Sequence, residues 1–182
     1  GDAEAVNIYV QYIREHIRGA DKHGAEVRLQ MPGHPSFWGT SDYVTVHDWG
    51  PLEVVDYKHG QGIDVYPIDN PQIAGYLLGA LRYARDHGFM PLSLRGTIIQ
   101  PRVRTWDGPR TWEITDIAAF EKEWTAKFEQ GIVACLGDKP ERNPGDHCGF
   151  CLAKLDCPEL KDKLILEAIE EFNPSLEGVL VS

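Results

Sequence analysis

The stretch LEVVDYKHGQG, residues 52–62, decides how the chain is read. Leu52, Val54, Val55 and Tyr57 favour extended structure, so the segment reads as a buried strand. Asp56 and Lys58 interrupt it. Residues two apart on a strand project to the same side. Val54, Asp56 and Lys58 therefore share one face, and Glu53, Val55 and Tyr57 share the other. Burying an acid and a base costs several kcal/mol per ion unless each finds a partner. Alone, the tripeptide reads most simply as an ion pair at a sheet edge.

The neighbouring segments change that reading. Asp42 ends the segment GTSD on the preceding strand, and a turn near residues 47–51 brings it toward Asp56. Two carboxylates placed together repel, and one must protonate unless a cation neutralises them. A hard divalent ion such as Mg²⁺ prefers such oxygen ligands. Lys58 beside that ion would stabilise negative charge on a phosphate or orient an attacking water. Downstream, Asn70 and Pro71 mark the start of a helix, as N-cap and first helical residue. Gln72 and Tyr76 are four apart near that start and share one face.

Outward from this centre the chain alternates helices and strands. Residues 2–18 form an amphipathic helix with Val6, Ile8, Tyr9, Ile13 and Ile17 at helical spacing. Residues 25–31, 40–46 and 52–58 read as three strands of an antiparallel meander, with a Pro/Gly loop, MPGHPSFWG, between the first two. The helix after Asn70 stops at Gly88. Strands follow at 92–100 and at TWEIT, then a long helix over 116–136 whose face Phe120, Trp124 and Phe128 reads as core. Cys135 on that helix is expected in the core as well. GDKPERNPGD is a polar linker, followed by three cysteines, a charged helix near 158–171 and a tail. The predicted class is α/β (α+β), a mixed sheet flanked by helices, with residues 1–137 as the core domain and 138–182 as a small cysteine-bearing module.

GTSD, EVVDYK and QIAGY together resemble the PD-(D/E)XK nuclease superfamily in its RecB-like branch. That branch reads G-x-x-D, then a strand ending in D/E-x-K, then Q-x-x-x-Y on the next helix. The stretch from Gly39 to Leu81, with IIQPR, TWEIT and GDHCGFCLAKLDC, is similar to a phage-borne family of RecB-like proteins. The resemblance covers residues 24 to 158. It implies a restriction-endonuclease-like fold and a Mg²⁺- or Mn²⁺-dependent phosphodiesterase acting on DNA, an exonuclease of recombination or DNA-end processing. By that resemblance Asp42, Asp56 and the backbone carbonyl of Tyr57 are metal ligands. Lys58 is the catalytic lysine, and Gln72 and Tyr76 position the DNA or the lysine. The implied setting is the cytoplasm of a bacterial or phage-infected cell, with DNA and a phage recombination protein as partners. The family's further ligand, a His or Glu on a helix before the first strand, has no recognised counterpart. Glu15, His16 and His23 lie nearby outside any motif, and Glu26 opens the first strand. The alternative expectation is an inactive relative that binds DNA or a recombination partner.

Cys148, Cys151 and Cys157 follow the spacing C-x2-C-x5-C, a metal-site pattern, whereas Cys135 lies 13 positions before them. The resemblance implies a [4Fe–4S] cluster held by Cys148, Cys151 and Cys157. With no cysteine before residue 135, either the fourth ligand belongs to an N-terminal region missing from this chain or Cys135 or His147 substitutes, and zinc is the alternative metal. The chain has 182 residues and a net charge of −10, which argues against a protein that coats nucleic acid. A local basic strip is expected at Arg95, Arg102, Arg104 and Arg110. The histidines His34, His47, His59 and His87 fall in loops, and His59 follows the catalytic lysine. No run is long and apolar enough for a membrane span and no signal peptide is visible. The chain begins Gly1-Asp2-Ala3 rather than with Met, as a fragment or a chain carrying a tag remnant does.

Overall fold

Five strands hydrogen-bond in the order β1-β2-β3-β4-β5 in the computed structural model, which describes residues 1–138 and 141–172. The elements are α1 (Asp2–His16), β1 (Lys22–Gln30), β2 (Trp38–Val46), β3 (Pro51–Tyr57), α2 (Pro71–Asp86), β4 (Ser93–Ile99), β5 (Arg110–Ile114) and α3 (Ile117–Leu136). β1, β2 and β3 form the antiparallel meander. β3 and β4 are parallel, because α2 carries the chain back between them, and β5 returns antiparallel to β4. The result is a mixed α/β sheet.

β3 is buried on both faces, which explains its near-continuous apolar pattern. On one side Leu52 and Val54 join Leu94, Ile73, Leu77 and Leu81 in the main core under α2. On the other, Val55 and Ile99 pack against Ile13 of α1. α3 closes the main core with Phe120 and Trp124, edge-on to Trp112. No helix among the described residues is long and apolar enough to cross a membrane.

α2 lies very close to the sheet. A Cβ on Gly96, opposite Val54, would overlap Ile73 Cγ2. A Cβ on Gly79 would stand 2.9 Å from Leu29 Cβ. The helix begins as its sequence requires: Asn70 Oδ1 accepts the N–H of Gln72 at 2.9 Å and of Ile73 at 3.3 Å. It ends before Gly88, at φ 84°.

The α1 side of the sheet carries a buried acid. Glu53 is 2% exposed. Its Oε1 accepts from Tyr12 Oη and from Thr97 Oγ1, each at 2.6 Å. Burial, followed by the Glu53 charge, pushes the Tyr12 phenol well above its ordinary range.

Several expectations need correction. β1 starts at Lys22 and β2 at Trp38, earlier than the apolar pattern places them. Lys22, His23 and Gln30 are exposed and enter the strand through their register with β2, not through burial. Val6 is exposed on α1, while Tyr12 packs inward. Cys135 is exposed, as are Val133 and Leu136, because only the first part of α3 covers the core.

The chain divides into two units, one ending at Val133 and the second starting at Ala134. The second contains a 3-10 turn, Asp146–Phe150, and α4 (Pro158–Phe172). Lys139 and Pro140 of the expected linker, and the expected tail beyond residue 172, lie outside the described residues.

Two measurements check this packing. Gly96→Ala forces α2 off the sheet and is expected to cost about 1–3 kcal/mol in urea denaturation. Tyr12→Phe removes one donor from buried Glu53 and is expected to cost about 1 kcal/mol or more by the same method.

Candidate active site

β3 delivers Asp56 to a position just before the strand ends. The chain leaves the strand at Lys58, whose N–H still donates to the Ile99 carbonyl at 2.9 Å. That bond holds Lys58 in line, so its side chain returns to the Asp56 side. Lys58 Nζ stands 2.9 Å from Asp56 Oδ2. The acid and base of the strand therefore do meet on one face.

The approach of α2 supplies the next two groups. Lys58 Nζ donates to Gln72 Oε1 at 3.0 Å. Gln72 Nε2 donates to Tyr76 Oη at 3.0 Å and, more weakly, to Asp56 Oδ1 at 3.4 Å. Asp42 lies across the β2–β3 ladder, one step beyond the Tyr43–Val55 pair. Its Oδ2 accepts the Tyr57 N–H at 2.6 Å. Asp42, Asp56, Lys58, Gln72 and Tyr76 are thus brought together, with the Tyr57 backbone between the two acids.

The electrostatics are unusual for a stable core. Asp56 is 4% exposed. Burial pushes its carboxyl above the ordinary carboxylate range; Lys58 pulls it back and Asp42 pushes it further up. The Lys58 ammonium pairs with Oδ2, and Oδ1 receives the weaker contact from Gln72. The lysine offsets the burial of Asp56, and the neighbouring Asp42 leaves two acids with one positive charge between them. The donor set fits a hard divalent ion, since Mg²⁺ is commonly held by one or two carboxylates and completes its shell with water and phosphate oxygens. Among the described residues no three His, Cys, Asp or Glu side chains gather as a protein-only metal cage.

Three nearby features add to the residues that the motifs name, and of these only Glu26 is marked in the sequence, as the acid that opens the expected first strand. Tyr9 of α1 packs its ring 5.2 Å from that of Tyr57. Burial, then the charges of Asp42 and Glu26, pushes its phenol up to about 12. Glu26 itself has φ 51° and falls opposite Asp42, between the pairs Ala25–Tyr43 and Val27–Ser41. There the alternation of β2 breaks: Gly39 and Val44 both face α2 although an odd interval separates them. Lastly, Gln100 is 2% exposed and binds the loop after Lys58. A glutamine closing the apolar run of β4 was the available signal.

Other candidates fall elsewhere. His16 Nδ1 contacts the Tyr12 carbonyl at 2.8 Å, and its ring stacks on Tyr12. His23 pairs with Tyr43 Oη at 2.9 Å. Glu15 is exposed. His59 contacts Tyr57 Oη at 2.8 Å and also meets Arg102. The expected basic strip is largely neutralised: Arg95 pairs with Glu113 at 2.5 Å, Arg102 with Asp2 at 3.2 Å and Arg110 with Asp64 at 3.5 Å.

In the second unit, Cys148, Cys151 and Cys157 line one concavity with His147. The Gly145 N–H donates to Cys148 Sγ at 3.4 Å. The Cys151 N–H donates to the Cys148 carbonyl at 3.1 Å, so the C-x2-C segment is a tight turn.

No curated protein matches the chain. Among solved structures, one titled "Crystal structure of SSO0001" aligns with 87% of this chain and 70% of that one, at 17% identity and a TM-score of 0.40. The family model described as "Protein of unknown function (DUF2800)" matches residues 3–177. Spanning nearly the whole sequence, that match makes the chain a member of the DUF2800 family.

Proposed function

We propose that this protein is a Mg²⁺- or Mn²⁺-dependent DNA nuclease of the PD-(D/E)XK type. The observation that carries the reading is the convergence of two carboxylates, Asp42 and Asp56, with Lys58 and Gln72 at the end of β3. The Asp56–Lys58 ion pair sets one positive charge against two neighbouring carboxylates, and a divalent ion would neutralise the acids together.

Asp42, Asp56 and the Tyr57 carbonyl would hold the ion, which when bound would activate water and polarise the scissile phosphate. The chain's own groups do the rest. Lys58 places its ammonium where negative charge grows on the phosphate oxygens, in a half-buried site that strengthens the attraction. Gln72 fixes that ammonium through Oε1 while its Nε2 is held by Tyr76, so the lysine is aimed before substrate arrives. The first backbone donors of α2 are already used by Asn70, which leaves the side chains, not the helix end, to meet the phosphate. In the second unit, Cys148, Cys151 and Cys157 are the residues that would hold a [4Fe–4S] cluster or zinc, supported by their spacing and shared concavity, although their side chains do not gather as a ready-made three-ligand set among the described residues.

The test is degradation of end-labelled linear DNA with Mg²⁺ or Mn²⁺. Metal-dependent cleavage is expected, falling roughly 10²- to 10³-fold in Asp56→Asn and Lys58→Ala. In parallel, Mn²⁺ is expected to raise the melting temperature of the wild type but not of the double variant Asp42→Asn/Asp56→Asn. DNA binding without cleavage, together with no metal-induced shift, would leave a DNA-binding protein on a nuclease fold.

A further inference from the structure

Residues 59–70 form a loop whose two ends meet at the site, since Lys58 before it is hydrogen-bonded to Gln72 after it. The loop has little regular structure, yet it is tightly held. Buried Gln100 receives the Val65 N–H at 2.9 Å and donates to the Ile63 carbonyl at 2.8 Å and the Gly60 carbonyl at 3.3 Å. Asp64 accepts from Thr105 Oγ1 at 2.7 Å. Asn70 Nδ2 donates to the Tyr66 carbonyl at 3.1 Å. Pro67 is buried.

Despite this anchoring, the loop presents Ile63, Tyr66 and Ile68 to solvent. Tyr66 is 58% exposed. The Arg110 guanidinium lies 4.4 Å from the centre of its ring and supports one face. Arg110 is itself fixed by Asp64 and by the Val65 and Thr105 carbonyls. An apolar surface with no role in the core is thus held rigid on the loop that joins Lys58 to the start of α2, with the Tyr66 backbone tied to the cap residue Asn70. Its charges are internally paired, so it offers a flat ring rather than a basic strip.

We propose that Tyr66, propped on Arg110, is a stacking platform for an unpaired base next to the phosphate that is cut, making single-stranded or frayed DNA the preferred substrate. This rests on the nuclease reading for its location. A duplex keeps its base faces inside its own stack, whereas a single strand can lay one on an exposed aromatic ring. Pre-organising the ring lowers the cost of ordering it on binding. Arg110 adds a cation beneath the ring without meeting the DNA backbone.

Binding is measured with EDTA present, by fluorescence anisotropy of end-labelled oligothymidylate and of a blunt duplex. The full chain is compared with Tyr66→Ala and Tyr66→Phe, and cleavage of the same probes is followed with Mn²⁺. Tyr66 is exposed, so neither variant threatens folding. The expected result is tighter binding of the single strand by the wild type, about tenfold weaker binding by Tyr66→Ala, and little change in Tyr66→Phe. Equal affinity for the two probes, no binding of the single strand, or wild-type affinity in Tyr66→Ala would each overturn the platform. Cleavage with unchanged Tyr66→Ala binding defeats the platform and keeps the nuclease. Tyr66-dependent binding without any cleavage defeats the nuclease and, with it, the placement of the platform beside a cut phosphate, leaving Tyr66 as a single-strand contact only.

Discussion

The close seating of α2 on the sheet is the constraint on which the candidate site depends. Nothing larger than glycine fits at Gly96 or Gly79, and that closeness sets how far Gln72 and Tyr76 stand from the end of β3. A helix lifted by one methyl group would carry Gln72 away from Lys58 and Asp56. The lysine would then lose the oxygen that fixes its ammonium. Packing of the apolar core and alignment of the polar cluster are therefore one geometric problem, solved by the same contact.

The two faces of β3 handle buried acids in opposite ways. Glu53, toward α1, accepts at Oε1 from both Tyr12 and Thr97 and acts as a cross-link between helix and sheet. Asp56, toward α2, is met by the Lys58 ammonium and lies close to a second carboxylate. The same residue class on one strand thus ties helix to sheet on one face and gathers two acids around a single lysine on the other. Proteins place such local costs where chemistry or binding makes use of them.

Much of the architecture could be read from local pattern. The N-cap at Asn70, the stop at Gly88, the meander and the facing of Asp56 and Lys58 follow from short-range rules of dihedral preference and period. Asp42, Gln72 and Tyr76 were named because ordered motifs placed them, and the structure brings them together. What pattern did not show depends on contacts distant in sequence. Tyr12 meets Glu53 across the sheet, Gln100 holds a loop some forty residues earlier, and the arginines of residues 95–110 find acids on other elements. Periodicity records which way a side chain points, not what waits there. The same limit explains the early starts of β1 and β2, where hydrogen bonding recruits residues that burial does not mark.

The break at Glu26 has a consequence for solubility. β1 is an outer strand, and an outer strand offers unpaired backbone groups on which another chain can extend the sheet. A left-handed residue in its middle interrupts that row of donors and acceptors, and exposed Lys22, Glu26 and Arg28 add charge along it. The opposite margin, β5, is only five residues long and carries Arg110 and Glu113. Both borders of the sheet are thereby poor templates for edge-to-edge aggregation, and the sheet ends where the fold needs it to end.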